Sequence, residues 1–304
     1  MTPDAVILEE YREVFRRYAA DGIIDLDKRL KRKFNFRIYL LEEFLSGLGG
    51  VLPLTRLSQH YMTLITEGKG EKTIGPFRFP LKKNIFFVVP ARVPHSTVYD
   101  PVPFAGYSVS FNMEFFLQAV FPVKHLIDQK IFKASHIPFV LLNEKQAAQV
   151  TAIFKNLVEE YNAERVNKAE LLAIKTLELV IICGRFCENT GSYRDPAPRG
   201  LAERFRDLVQ QHILHERSVG FYADQLHVHA NYLNSVVKRD TGITAKETIN
   251  DHILLEAKSL LLNSQMSVKE IAYELGFAEP DQFSSFFRRG LHVSPTHYRE
   301  QHLI

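Results

Sequence analysis

Residues 218–238 and 267–288 carry one pattern written twice, and a chain that repeats helix, tight turn and helix at a fixed offset has few ways to fold. The first copy reads Ser218-Val219-Gly220-Phe221-Tyr222-Ala223-Asp224-Gln225-Leu226, then a turn at His227-Val228-His229-Ala230, then a segment bearing Asn231, Leu233, Asn234, Val236, Val237 and Lys238. The second reads Ser267-Val268-Lys269-Glu270-Ile271-Ala272-Tyr273-Glu274-Leu275, then Gly276-Phe277-Ala278-Glu279-Pro280, then Gln282, Phe283, Ser285, Phe286, Phe287 and Arg288. Helices that cross closely need a small residue at the contact, and Ala223 and Ala272 supply it. Val268, Ile271 and Leu275 form one apolar stripe, and Ser267 with Glu270 three positions later is a reciprocal helix-start pattern. Gly276 suits the left-handed backbone of a sharp exit; His227 at the matching place does not, so the first turn is expected to be the more strained.

Between the copies, residues 244–262 read as one helix, with Ile249, Ile253, Leu254, Leu260 and Leu261 near helical spacing. Such a rod spans roughly 28 Å, close to the ~34 Å that separates successive major-groove entries on one face of B-DNA. Two helix-turn-helix units on one rigid spacer are expected to read duplex DNA.

The second copy carries Ile271-Ala272-Tyr273-Glu274-Leu275-Gly276-Phe277, Gln282-Phe283-Ser284, Phe286-Phe287-Arg288-Arg289 and Val293-Ser294-Pro295-Thr296-His297-Tyr298-Arg299. In these residues the last third of the chain resembles the AraC/XylS transcription regulators. It departs from them at His292, where the family usually has Gly, and at Ser235 and Ser285, where many members carry a base-reading Arg. By the resemblance, Asn231, Asn234 and Ser235 face bases in the first copy, and Asp281, Gln282 and Ser285 in the second. Asn and Gln can pair with adenine and Asp can accept from cytosine, whereas no Arg is placed for the common guanine contact, so a less guanine-dependent site is expected. Lys238, Arg239, Arg288, Arg289 and Arg299 are the expected phosphate partners, the alternative for any one being a solvated surface charge.

Charge balance pulls the other way. Residues 201–304 hold eleven Lys/Arg against thirteen Asp/Glu, a formal net of −2, so the chain's overall +3 comes from its first two hundred residues. Non-specific DNA binding is therefore expected to be weak, and tight binding to need a dimer, a local cationic patch or protonated histidines.

The 304 residues, 46% hydrophobic and 24% charged, suit two domains. The Gly- and Pro-containing stretch 189–200 is expected to link residues 1–188, an effector-binding and dimerisation domain, to residues 201–304. No secretory leader and no membrane span are expected, and the only cysteines, Cys183 and Cys187, stand one helical turn apart. A cytoplasmic protein without a disulfide framework is expected, its cysteines serving as small buried side chains or, less simply, in metal or redox sensing. Helices are expected at 144–161 and at 168–187; the second is apolar nearly all round and is assigned either to packing within the monomer or to a homodimer contact.

Short β-type runs at Phe36–Leu41, His60–Thr66, Ile85–Val89 and Ala105–Phe111 predict a small antiparallel barrel or double sheet. The expected class is thus α+β: an amino-terminal antiparallel β-barrel with packed helices, and an all-α carboxyl-terminal domain. Glu67-Gly68-Lys69-Gly70, the run Phe77 to Pro90, and Val93-Pro94-His95-Ser96 resemble the cupin-like sensor half of the same regulators, which implies a small effector inside the barrel. Pocket candidates by type are His60, Tyr61, Phe79, Phe87, Arg92, His95 and Phe111, with ordinary core packing the alternative for the aromatics. Cupin enzymes hold a metal through several His and a Glu, but no His-x-His lies in this half, and no metal or cofactor is expected. A hydrogen-bonded structural role is the alternative for His95. The basic run Lys28-Arg29-Leu30-Lys31-Arg32-Lys33 is either a steering patch or a solvated segment, and by resemblance the segment before Asn35 acts as a ligand-sensing arm.

The reading is a regulator of transcription rather than an enzyme, with operator DNA, an unidentified effector, a second copy of the chain and RNA polymerase as partners. Its rivals are a cupin-type metal enzyme with a DNA-targeting tail and a constitutive DNA-binding protein that takes no ligand.

Overall fold

A computed structural model describes residues 3–18, 22–30, 35–117, 138–189, 200–214 and 216–302. The chain divides into two compact units, residues 1–115 with 125–197 and residues 116–124 with 198–304; most of the stretch expected to be a linker lies outside the described residues, as do residues 31–34 of the basic run.

The amino-terminal unit opens with helix α1 (Pro3–Tyr18), the short elements β1 (Ile24–Asp25) and α2 (Leu26–Arg29), β2 (Phe36–Leu40) and α3 (Leu41–Phe44). Seven strands follow: β3 (Val51–Arg56), β4 (His60–Glu67), β5 (Gly70–Ile74), β6 (Phe77–Leu81), β7 (Ile85–Val89), β8 (His95–Tyr99) and β9 (Ala105–Phe111). Then come α4 (Met113–Leu117), β10 (Phe139–Leu141), α5 (Glu144–Asn162) and α6 (Lys168–Asn189). The strands form two five-stranded sheets, ordered β1-β3-β8-β5-β6 and β10-β7-β4-β9-β2.

Of the two forms expected, barrel or double sheet, the strands make the double sheet, and the barrel is not closed. Among the described residues no ladder joins the sheets, and β1 pairs with β3 in parallel rather than antiparallel. The sheets are held by side chains instead: Leu52, Ile74 and Phe79 of one and Ile65, Phe87 and Val89 of the other belong to one buried cluster. The second sheet is covered on both faces, which is why β7 runs Ile-Phe-Phe-Val-Val with every residue buried rather than alternating. On its other side, Tyr107 of β9 stacks on Phe154 of α5 with centroids 5.5 Å apart. Asn143 and Gln146 close a capping box at the start of α5.

The carboxyl-terminal unit consists of α7 (Leu201–His212), α8 (Val219–Gln225), α9 (Ala230–Thr241), α10 (Ala245–Asn263), α11 (Val268–Glu274), α12 (Pro280–Leu291) and α13 (Pro295–His302). Its axis is α10, which buries Ala245, Ile249, Ile253, Ala257 and Leu261, every fourth residue, in the same core as α8–α9 and α11–α12. Thr244 caps α10, exchanging hydrogen bonds with Glu247, so the rod is 19 residues long and starts one residue later than its sequence pattern predicts.

Candidate nucleic-acid interface and inter-sheet cavity

Each helix-turn-helix unit is set by a backbone that bends where the sequence lets it. Gly276 holds φ +71°, and His227 takes the corresponding left-handed conformation at φ 56° with a side chain to accommodate. At the far end of the second helix the residue types exchange: Gly242 (φ 82°) ends α9, whereas His292 (φ 60°) ends α12. His292 thus occupies the conformation that explains why Gly is usual there.

These turns present the N-terminal halves of α9 and α12 outward. Asn231, Ser235, Lys238 and Arg239 are exposed on α9, above buried Leu233, Val236 and Val237; Asp281, Gln282, Ser285, Arg288 and Arg289 are exposed on α12, above buried Phe283 and Phe287. Tyr232 and Tyr273, which sequence reasoning passed over, are 59% and 49% exposed on the two units. Large aromatic side chains at apolar-phase positions read as core, and only the helix rotation reveals them as surface.

Two of the expected contact residues also make hydrogen bonds within the domain. Asn234 is half-buried and its Oδ1 accepts from the Ala245 backbone N–H at 2.9 Å, tying the recognition helix to the start of the spacer. Arg299 is also half-buried; its guanidinium donates to the carbonyls of Leu261 (2.9 Å) and Met266 (2.6 Å), and so pins α13 to the end of α10. Among the remaining cations Arg239 pairs with Asp240 at 2.8 Å. Ser235 donates to the Asn231 carbonyl one turn back.

One residue joins the two units. Arg217, just before the cap of α8, donates to the Gly276 carbonyl and lies 4.1 Å over the Phe277 ring, both in the turn of the second unit. Lys246 of the spacer reaches the Arg217 carbonyl at 3.4 Å. The two recognition helices are therefore locked by side chains as well as by the rod.

In the amino-terminal unit a cavity lies between the sheets under α1, with about 660 Å³ of non-atom space including its mouth, of which the centre of a water molecule reaches about 70 Å³. Tyr61, Phe87 and His95 line it; Phe79 does not, and stacks on Phe139 at 4.1 Å instead. His60, Arg92 and Phe111 are also elsewhere. His60 accepts from the Ala91 N–H through Nδ1 and stacks on Phe111, and Arg92 stands 3.9 Å from Asp27. His60 and His95 are thus each held by protein groups, and no group of three or more potential metal-ligating His, Cys, Asp or Glu side chains occurs among the described residues.

Polar side chains ring part of this cavity. Thr63 and Ser108 share a hydrogen bond of 2.8 Å on one sheet; on the other, Thr55 lies 3.4 Å from His95 Nε2, and Lys72 donates to Thr97 Oγ1 at 2.9 Å. His95 Nδ1 donates to the Val93 carbonyl (3.2 Å), leaving Nε2 to accept from Thr55. Burial, then the neighbouring Lys72 charge, push the His95 imidazolium down to about 3. Lys72 itself is pushed down to about 7 by burial. Lys72, Thr55 and Thr97 were absent from the sequence-based candidates. Their signal was strand alternation: with Gly70–Ile74 recognised as a strand, Lys72 falls in phase with Ile74 and must face in.

Residues 222–301 match a family described as a helix-turn-helix domain. The chain is 26% identical to the transcriptional activator RhaS of Salmonella schwarzengrund over 156 residues, 51% of this chain and 54% of that protein. It is 34% identical to RhaS of Escherichia coli over 92 residues, 30% of this chain and 33% of that protein. The chain thus spans between a third and about half the length of these curated relatives. Among solved structures, the C-terminal domain of the response regulator AraT from Geobacillus stearothermophilus is 27% identical, with 35% of this chain and 88% of that one aligned at a TM-score of 0.34. The matched family falls on the carboxyl-terminal pair of helix-turn-helix units, the part in which the chain is similar to the AraC/XylS regulators.

Proposed function

We propose that this protein is a sequence-specific, DNA-binding transcription regulator of the cytoplasm, acting as a homodimer and responding to a small effector held between its amino-terminal sheets. The observation that carries the reading is the pair of equivalent, solvent-facing helix N-termini, Asn231–Ser235 and Asp281–Ser285, mounted on one central helix and braced by Arg217. The similarity to relatives that are transcriptional activators supports it. Exposed Lys238, Arg288 and Arg289 supply the phosphate contacts, and the domain's net negative formal charge makes this local cluster, rather than the whole surface, the electrostatic footprint. Leu171, Ile174 and Ile181 leave an exposed apolar stripe on α6, which supports the dimer.

Selection from random duplexes at fixed salt tests the assignment, run with the wild type, Asn231→Ala and Gln282→Ala. Each variant is expected to relax preference at its own base position, by about 1–3 kcal/mol for a lost bidentate contact. Unchanged preference in both variants overturns the recognition surface. Sedimentation of the same preparations, with Ile174→Glu beside them, measures the dimer.

A further inference from the structure

The inter-sheet cavity holds a charge that none of its described lining residues balances. Lys72 is only 4% exposed, yet among the described residues no Asp or Glu lines the cavity, and its ammonium makes one hydrogen bond, to Thr97. An ammonium has three N–H donors, so two remain for a guest. The Phe87 ring lies 5.5 Å from Nζ and the rest of the wall is mostly apolar: Phe15, Leu52, Ile65, Leu81 and Val89 among others. Buried charges are ordinarily paired. Resting on the reading of this unit as an effector domain, we infer that its ligand is a small organic anion, an apolar body ending in a carboxylate, with Lys72 as counter-charge.

The arrangement also sets polarity within the site. Lys72 and Thr97 face each other across the β5–β8 ladder, and His95 and Thr55 lie alongside on β8 and β3, so the polar end of the guest sits against the first sheet. Tyr11 and Phe15 of α1 cover the apolar end, which places the amino-terminal helix in contact with whatever fills the space.

The titratable groups on the cavity wall are Lys72, His95, Tyr11, Tyr39 and Tyr61, with Arg37 and Asp27 acting on the tyrosines. Burial raises all three tyrosines and lowers His95 to about 3, so Lys72 alone changes charge near neutral pH. A carboxylate partner stabilises the ammonium, so binding above the free amine's value of about 7 takes up a proton. Affinity should then fall by up to about tenfold per pH unit until the amine's value in the complex is passed.

The test is calorimetric titration of the full chain with 3-phenylpropanoate, phenylacetate and hexanoate, each beside its neutral carboxamide, at about pH 6.5 and 8.5. At least one carboxylate is expected to bind tenfold or more tighter than its amide, to weaken at the higher pH, and to lose both the preference and the pH dependence in Lys72→Met. That variant keeps the side chain's length and removes the unbalanced charge, so its fold should survive; Thr97→Val, which leaves the ammonium in place, should retain the anion preference. Amides binding as well as carboxylates would overturn the anion assignment and leave the effector reading standing. No binding by any of the six would overturn both, while duplex selection would still judge DNA recognition independently.

Discussion

The two helix-turn-helix units share a skeleton and differ at nearly every device that holds it. In the first, aliphatic Leu233 and Val237 fill the space beneath the recognition helix; in the second, Phe277, Phe283, Phe286 and Phe287 do so as a chain of tilted rings 5.4–5.8 Å apart. Each unit has two left-handed positions, one at the turn and one at the end of the second helix, and each fills one with Gly and the other with His, in opposite order. What is repeated is therefore backbone geometry. The residue types follow only where the chain has no alternative, and a duplicated fold tolerates a strained residue at either position provided packing around it is complete.

The largest effect that separates the copies should come from their cores. Phe283→Ala removes a fully buried ring from a cluster of four and is expected to cost about 3–5 kcal/mol; Leu233→Ala at the equivalent place should fall lower in the range of about 2–5 kcal/mol for aliphatic truncations. Denaturant unfolding of the full chain, with hydrogen exchange at α9 and α12 to localise the loss, provides the comparison. A costlier Leu233→Ala would mean that the aromatic unit is not the firmer one.

Glycine exchange comes next. Any side chain at Gly276 adopts a left-handed φ and brings its Cβ to 3.0 Å from the Leu214 carbonyl oxygen, so Gly276→Ala should destabilise by at least about 1–2 kcal/mol. His227→Gly relieves the same conformation in the first unit, but also frees the unfolded chain, leaving a net gain of about 0.5–1 kcal/mol. His292→Gly should behave like His227→Gly. If thermal unfolding places both histidine variants below the wild type, those imidazoles make contacts worth more than the strain they carry, and the claim that geometry alone is repeated fails.

How far the sequence reaches differs between the two halves for a physical reason. Helix periodicity, the Ser267–Glu270 cap and the Gly276 turn are local signals, and the second unit agrees with them residue for residue. The strands Ile85–Val89 and Ala105–Phe111 were also legible, because turns with Gly or Pro bound apolar runs. The strands β5, β6 and β8 were not: Lys72, Arg78, Pro80 and His95 interrupt the apolar signal, and their alternation becomes visible only once pairing places Lys72 opposite Thr97. Two roles were hidden in the same way. Asn234 and Arg299 carry recognition-type side chains in the right motif, yet each is spent on a backbone group distant in sequence, at Ala245, Leu261 and Met266. A motif names residue types; which partner a side chain meets is decided by tertiary packing.

The smallest expected difference lies at the starts of the two units. Ser218 caps α8 through one bond, from the Gly220 N–H, and the residue three places on is Phe221. Ser267 caps α11 reciprocally: Glu270 N–H donates to its hydroxyl, and its own N–H donates to Glu270 Oε2 at 2.7 Å. That backbone bond first, and the serine hydroxyl second, hold the Glu270 carboxyl below its usual range. A carboxyl lowered by folding contributes stability that is present above its unfolded value and is lost as pH falls through the folded one. Acidification below the ordinary glutamate range should therefore fray the first turn of α11 while leaving the first turn of α8 unaffected. The group is fully exposed, so the effect is local and is read from amide exchange at Lys269–Ile271 against Gly220–Tyr222, not from global unfolding. Glu270→Gln keeps an acceptor for the Ser267 N–H and cannot titrate, so it should abolish the pH response while retaining most of the cap. Equal fraying of both starts in acid, or an unchanged response in the glutamine variant, would show that the two units are capped alike in solution despite their different residues.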